Sequence, residues 1–480
     1  MAISSTTSRR RQAVLDVPLP LDGTAGNQAR KVHDGLRSAI LDGRLAAGLR
    51  LPSSRALADQ LGISRNLVVA AYEQLAGDGL IDSRRGAGTY VASRLPAPRA
   101  EAEASTFEAE PPPRQPFAVG RTRSDPVLLR RLAAITRRRI AMATEADLAY
   151  GDPRGSQALR EQVALHLAAS RGVRRDPSCI LIVSGTQSGL RLCADALLPP
   201  AASVWMEDPG YPVSRRTLAA MGLRVVPVPV DRDGLDVAAG RRRHAAASAA
   251  YVTPSHQFPT GVTMSMQRRV MLLDWARNRN AWIFEDDYDS EFRYDGPPLT
   301  ALAGIDGSDR VIYCGTFSKT LFPGLRIAYL ALPPAAVAPV VTARATYDRC
   351  PPVLLEGALA ELMAEGALAA HTRRMRNHYR AAREVVAETL AKAAGDALRL
   401  VVPQQGLHLV AYLPPGLSGD AADRIRRAAG IEAWLVSETR VSQRGPDGFV
   451  LGFSGHEVPA LVAASIRLGR AARNHLRTSA

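Results

Sequence analysis

Only three of the 61 lysines and arginines in this 480-residue chain are lysines, so chemistry that needs a primary amine has three candidates: Lys31, Lys319 and Lys392. Lys31 stands at the start of a predicted short helix. Lys392 falls in AAREVVAETLAKAAGD, an amphipathic pattern whose lysine belongs on the solvated face. Lys319 is set differently: in TFSKTLFPGLR it is flanked by the hydroxyls of Thr316 and Ser318 and followed seven residues later by Arg326. A lysine attacks a carbonyl only when deprotonated, and a neighbouring cation such as Arg326 lowers its pKa.

Other runs supply complementary groups. IFEDDYDSEF closes an apolar strand with two aspartates and a tyrosine, and VSGTQSGLRLCADAL reads as strand, glycine turn and helix, a backbone arrangement that cradles phosphate. Pyridoxal 5′-phosphate needs a lysine for its Schiff base, an acid at the pyridine nitrogen, a hydroxyl at the ring oxygen and a phosphate cradle. Lys319 supplies the first. Asp286 is assigned to the nitrogen, with Asp287 as the substitute if the register is shifted by one, and Tyr288 to the oxygen. Gly185, Thr186 and Gln187 form the helix N-terminus, Thr316, Ser318 and Arg326 complete the cradle, and Tyr211 in EDPGYP can stack on the ring.

These residues lie on seven apolar runs, CILIVSG, SVWMEDPG, LRVVPVPV, AAYVTPS, AWIFEDDY, RVIYCGTFS and RIAYLALPP, mostly separated by helical patterns or loops. The alternation predicts an α/β domain with a mostly parallel sheet. LRLVVPQQGLHLVAYLP and FVLGFSG follow long helical patterns and predict a smaller C-terminal α+β lobe. The body is therefore expected over 126–480, with a large lobe over about 149–333 and a small lobe over about 334–480.

Upstream, residues 1–27 read as a polar tail, and residues 94–125, rich in Pro, Ala and Glu, as a linker. Between them, over 28–93, ARKVHDGLRSAILDG places Val32, Leu36 and Ile40 on one helical face, with Gly43 as a stop signal. LPSSRALADQLGISRNLVVAAYEQLAGDGLI gives two short helices around a Leu61-Gly62-Ile63 turn, with Ser53 or Ser54 capping the first and Ser64 the second. Arg65 and Asn66 then stand at the exposed start of the second helix, the position that reaches base edges in a major groove. LIDSRRGAGTYVAS predicts a hairpin wing carrying Arg84 and Arg85.

The formal charge of +15 fits a polyanionic partner, although arginine-rich composition alone does not establish one. Cys179, Cys193, Cys314 and Cys350 form no CxxC pair, so neither a disulfide framework nor a metal site is expected, and a reducing cytoplasm fits. No stretch approaches the roughly 20 apolar residues that cross a bilayer.

The stretch LDGRLAAGLRLPSSRALADQLGISRNLVVAAYEQLAGDGLI with the wing RRGAGTYV resembles the winged helix-turn-helix of GntR-type bacterial regulators. That resemblance implies Arg55, Ser64, Arg65, Asn66, Arg85 and Gly86 as DNA contacts. Residues 149–333 resemble the large domain of fold-type I aminotransferases through YGDPRGSQALRE, SGTQ, DPGYP, TPSHQFPTG, EDDYDSEF and TFSKTLFPGLR. By that likeness His256 takes the place of an asparagine that hydrogen-bonds the cofactor oxygen.

Joined, the two parts resemble the MocR subfamily of GntR-type regulators. The resemblance implies a cytoplasmic, nucleoid-associated head-to-tail homodimer. It also implies binding to double-stranded operator DNA that is modulated by pyridoxal phosphate, or by an amino-acid or amine effector forming an aldimine at Lys319. One departure stands out: where the enzymes carry a carboxylate-binding arginine in a motif like RLGFS, FVLGFSG has Val450, with Arg440 or Arg444 as substitutes. A working aminotransferase with a DNA-binding head is the alternative expectation.

Overall fold

The computed structural model describes residues 28–84, 87–94, 115–417, 419–442 and 445–479. The chain forms two compact units, one ending at Pro111 and the other beginning at Pro112. Arg85, Gly86 and Arg444 lie outside the described residues.

The first unit holds helices α1 (Gln28–Leu41), α2 (Ser54–Leu61) and α3 (Arg65–Gly77), followed by strands β1 (Ile81–Arg84) and β2 (Gly88–Val91). Val32, Leu36 and Ile40 pack with Leu57, Val68, Ala71 and Leu75 in one core, as their helical spacing requires. The Ser53 hydroxyl caps α2 by accepting from the Ala56 N–H at 3.2 Å, and Gly62, left-handed at φ +66°, ends it. Ser64 holds the equivalent position on α3 without a side-chain capping bond. The strands pair antiparallel, Ile81 opposite Val91, and the Arg84 guanidinium lies 5.0 Å from the Tyr90 ring centroid.

In the second unit the seven apolar runs all become strands: β3 (Ile180–Val183), β4 (Ser203–Asp208), β5 (Arg224–Asp231), β7 (Ala249–Val252), β8 (Trp282–Asp287), β9 (Val311–Thr316) and β10 (Ala328–Ala331). A two-residue strand, β6 (Gly234–Leu235), turns back along the edge of β5. The spatial order is β3-β10-β9-β8-β7-β4-β5-β6. From β5 through β9 the sheet is parallel, and β10 runs antiparallel between β9 and β3. Residues of β3, β7, β9 and β10 are buried throughout, the pattern of strands covered on both faces.

Around this sheet lie α4 (Pro126–Ala141), α5 (Gln157–Arg171), α6 (Thr186–Leu197) and α7 (Pro212–Ala220). The small lobe contains α8 (Ala367–Ala394) and α9 (Val458–Ser479) with an antiparallel sheet of β11 (Arg399–Val401), β12 (His408–Tyr412), β13 (Trp434–Leu435) and β14 (Gly448–Gly452), ordered β11-β12-β14-β13.

Two expected boundaries shift for reasons of packing. Residues 115–125, expected within the linker, belong to the body: Phe117 is fully buried in the small-lobe core beside Leu407 and Phe449, and it bridges to Gly452. The division at 333/334 also moves, because Ala336, Val340, Ala358 and Leu362 pack into the cores of the large sheet rather than the small lobe. Lys392 is exposed and pairs with Glu388 at 2.6 Å, as an amphipathic helix face requires.

Candidate functional site

A pocket opens where the parallel strands end and their loops converge, the place an open α/β sheet offers a ligand. Lys319 enters it three residues after β9. Its Nζ donates to the Gly120 carbonyl at 3.0 Å. Burial pulls the ammonium below its ordinary pKa; Asp289 and Asp286 oppose that shift, and Arg326 reinforces it.

Strand alternation settles which aspartate faces the pocket. Asp286 lines it, accepting from the Tyr251 hydroxyl through Oδ2, while buried Oδ1 has no hydrogen-bond partner among the described residues. Burial raises this carboxyl to about 6, against the Tyr251 hydrogen bond. Asp287 points to the opposite face, where Arg171 Nη2 lies 2.7 Å away and the Tyr313 hydroxyl donates at 2.7 Å.

The cradle forms at the start of α6. Gly185 precedes the helix at φ +140°, a backbone setting suited to glycine, and a Cβ there would lie 2.5 Å from Arg326 Nη2. The Arg326 guanidinium therefore rests against the helix entrance because position 185 has no side chain. Thr186 and Gln187 line the pocket. The Gln187 side chain is held by Ser214 at 2.9 Å and Thr217 at 3.0 Å, whereas first-turn N–H groups of a helix have no intrahelical acceptor. Thr316 and Ser318 line the same wall, with the Ser318 N–H donating to Thr316 Oγ1 at 3.1 Å.

Tyr288 and Tyr211 also reach the pocket; His256 does not. His256 stands behind Tyr288, whose hydroxyl lies 3.1 Å from both His256 Nδ1 and the His256 carbonyl oxygen. Asp289 Oδ2 holds the same Nδ1 at 3.0 Å, and the ring packs where any side chain at Gly406 would overlap it. His256, expected at the cofactor oxygen, is thus set behind the pocket wall as part of a strut: Asp289 ties it to the small lobe through the Leu407 N–H at 3.1 Å.

Several pocket residues lie outside the set read from the sequence. Tyr251 sits on the strand beside Asp286, where parallel pairing of β7 with β8 was a usable signal. Gly120 follows the apolar triplet Phe117-Ala118-Val119, a break in the linker composition. Phe258 falls inside the TPSHQFPTG run, whereas His408 and Trp434 have no local signature and the fold alone brings them in.

These residues fit pyridoxal phosphate. A deprotonation-prone amine, a buried carboxylate oxygen without a partner and a guanidinium at a helix N-terminus match its aldehyde, pyridine nitrogen and phosphate respectively. In the other unit, Arg55, Ser64, Arg65 and Asn66 are all exposed, and Arg65 Nε reaches Ser54 Oγ at 3.3 Å.

Residues 28–91 match the family described as bacterial regulatory proteins, gntR family, and residues 118–441 match aminotransferase class I and II. A DNA-binding winged helix joined to an aminotransferase-like body that uses pyridoxal phosphate defines a class of cofactor-dependent transcriptional regulators. The probable rhizopine catabolism regulatory protein MocR of Rhizobium meliloti is 34% identical, covering 89% of this chain and 90% of its own. The pyridoxine biosynthesis transcriptional regulator PdxR of Corynebacterium glutamicum is also 34% identical, covering 90% and 93%.

The chain belongs to the MocR subfamily of GntR-type bacterial transcriptional regulators. Among solved structures, the α-aminoadipate aminotransferase LysN of Thermus thermophilus is 27% identical with a TM-score of 0.68, covering 75% of this chain and 92% of that one. An archaeal alanine:glyoxylate aminotransferase, 24% identical with a TM-score of 0.69 and covering 75% and 91%, shares the fold.

Proposed function

We propose that this chain binds operator DNA through its winged helix and that an amino compound, by competing for pyridoxal phosphate at Lys319, sets the affinity of that binding. The carrying observation is the convergence of the Lys319 amine, the free Asp286 oxygen and Arg326 in one pocket of a chain headed by a GntR-type domain.

When bound, the cofactor supplies an electrophilic carbon that primary amines attack. The chain's own residues do the rest. Asp286 holds the pyridine nitrogen, Tyr288 the ring oxygen, and Tyr211 covers the ring. Gly185, Thr186, Gln187, Thr316, Ser318 and Arg326 hold the phosphate. Lys319, with its lowered pKa, accepts or gives up protons at Nζ as amines exchange. An effector changes DNA binding only by favouring one arrangement of the heads over another, and the operator must then change effector affinity by the same factor.

Arg65, exposed at the start of α3, and Asn66 are the base-reading candidates, and Arg55, Ser64, Arg84, Arg85 and Gly86 supply backbone contacts. The test is anisotropy with the promoter of neighbouring genes, with and without cofactor and amines. Arg65→Ala should weaken specific binding by about 1–3 kcal/mol, while Arg84→Ala lowers the salt slope by about 1. An operator affinity unmoved by cofactor and by every amine would sink the regulatory reading.

A head-to-tail homodimer in the cytoplasm completes the proposal. Leu129 and Ile140 on α4, 37% and 55% exposed, line an open apolar groove with Phe322, Leu325 and Leu355, a surface that partner burial would explain. Among the described residues no helix is long and apolar enough to cross a membrane. Sedimentation equilibrium at micromolar chain should return twice the 51.4 kDa chain mass, and a monomer would refute the dimer.

A further inference from the structure

Bound pyridoxal phosphate engages both cations that line the pocket. Lys319 anchors it and Arg326 meets its phosphate, and among the described residues no other lysine or arginine lines the cavity. The opposite wall is aromatic. Tyr211 stacks parallel to Trp434 with centroids 6.1 Å apart, and Phe258 meets both edge-on at 5.4 and 5.7 Å. Behind them Val410, Tyr412, Val436 and Val450 close a single apolar cluster.

Val450, fully buried, pairs with Val410 on one side and Trp434 on the other. Arg440 is folded back onto the Pro446 carbonyl at 3.1 Å with Asp447 at 4.0 Å, and Arg216 is exposed on α7. Under the pocket lie the buried carboxyls Asp286 and Asp289. Among the described residues, a ligand carboxylate would enter beside these acids and the cofactor phosphate with no further lysine or arginine lining the pocket, whereas an apolar body would be buried against three rings.

We infer that the pocket selects primary amines with an aromatic or apolar body and no carboxylate, in preference to the corresponding α-amino acids. The inference rests on Lys319 as the cofactor anchor and names the effector class. Binding is an exchange of one amine for another at the cofactor's aldehyde carbon. The bond to the ligand nitrogen forms, the bond to Lys319 Nζ breaks, two protons pass from the ligand amine to Nζ, and nothing is oxidised or reduced.

The full chain loaded with pyridoxal phosphate and freed of excess would be titrated with 2-phenylethylamine against L-phenylalanine, and with tryptamine against L-tryptophan. Cofactor absorbance and the mass trapped by borohydride report which nitrogen holds the cofactor. Each amine should half-saturate at a concentration at least about tenfold below that of its amino acid. Val450→Arg should narrow that ratio by improving the amino acid; if this variant fails to fold, Trp434→Ala should weaken the amine instead. Amino acids that match their amines, or a loaded chain answering neither, overturn the selectivity and leave Lys319 attachment standing. A chain that never acquires cofactor mass at Lys319 overturns both.

Discussion

Lys319→Ala is expected to abolish covalent retention of pyridoxal phosphate entirely. After borohydride reduction the native chain should gain one cofactor mass on the peptide containing Lys319, and the variant none. With only Lys31 and Lys392 as competing side-chain amines, the assignment is unambiguous by peptide mapping. Lys392 is exposed and paired with Glu388, so Lys392→Ala should leave the trapped mass unchanged. Residual cofactor binding by the alanine variant, through Asp286 and Arg326, should persist without a covalent bond. The same variant should lose the cofactor-dependent change in operator affinity while keeping DNA binding itself, because the winged helix is a separate unit. Full trapped mass in Lys319→Ala would remove the basis for the proposed switch.

The second large effect concerns stability. Arg171, 4% exposed, lies on the face of the sheet opposite the pocket, with its guanidinium 2.7 Å from Asp287 and donating to Ser255 Oγ at 2.6 Å and to the Leu299 carbonyl. Removing it leaves the Asp287 carboxylate buried with only the Tyr313 hydroxyl. Arg171→Ala should therefore lower the unfolding free energy of the body by about 3–5 kcal/mol, read as a fall in urea midpoint. Replacing both partners with apolar groups, as in Arg171→Met with Asp287→Leu, should cost less than the single change, since no unpaired charge remains. A single variant with an unchanged midpoint would show that this pair contributes nothing to stability.

What could be read from the sequence follows from the range of each interaction. The seven apolar runs became strands because their signal is local, and Asp286 with Lys319 emerged because both fall at strand ends that a parallel sheet brings together. The choice between Asp286 and Asp287 stayed open because alternation places them on opposite faces without saying which face holds the pocket. His256 stands outside the pocket lining because Asp289 holds its Nδ1 and its ring fills the space left by the missing side chain at Gly406, about 150 residues along the chain, contacts that no local pattern announces. Trp434 lies on a two-residue strand too short to leave a periodic trace. Phe117 was hidden by the proline-rich and charged composition around it, although burial makes it part of the core.

The bond from Lys319 Nζ to the Gly120 carbonyl gives that N-terminal stretch of the body a further consequence. A nitrogen tied up by a carbonyl compound has fewer hydrogens to donate. The Gly120 carbonyl, three residues beyond the buried Phe117, therefore loses donor hydrogens whenever the lysine is so engaged. The amine is a latch on the chain's own thread as well as a hook for a small molecule, and engaging one function slackens the other.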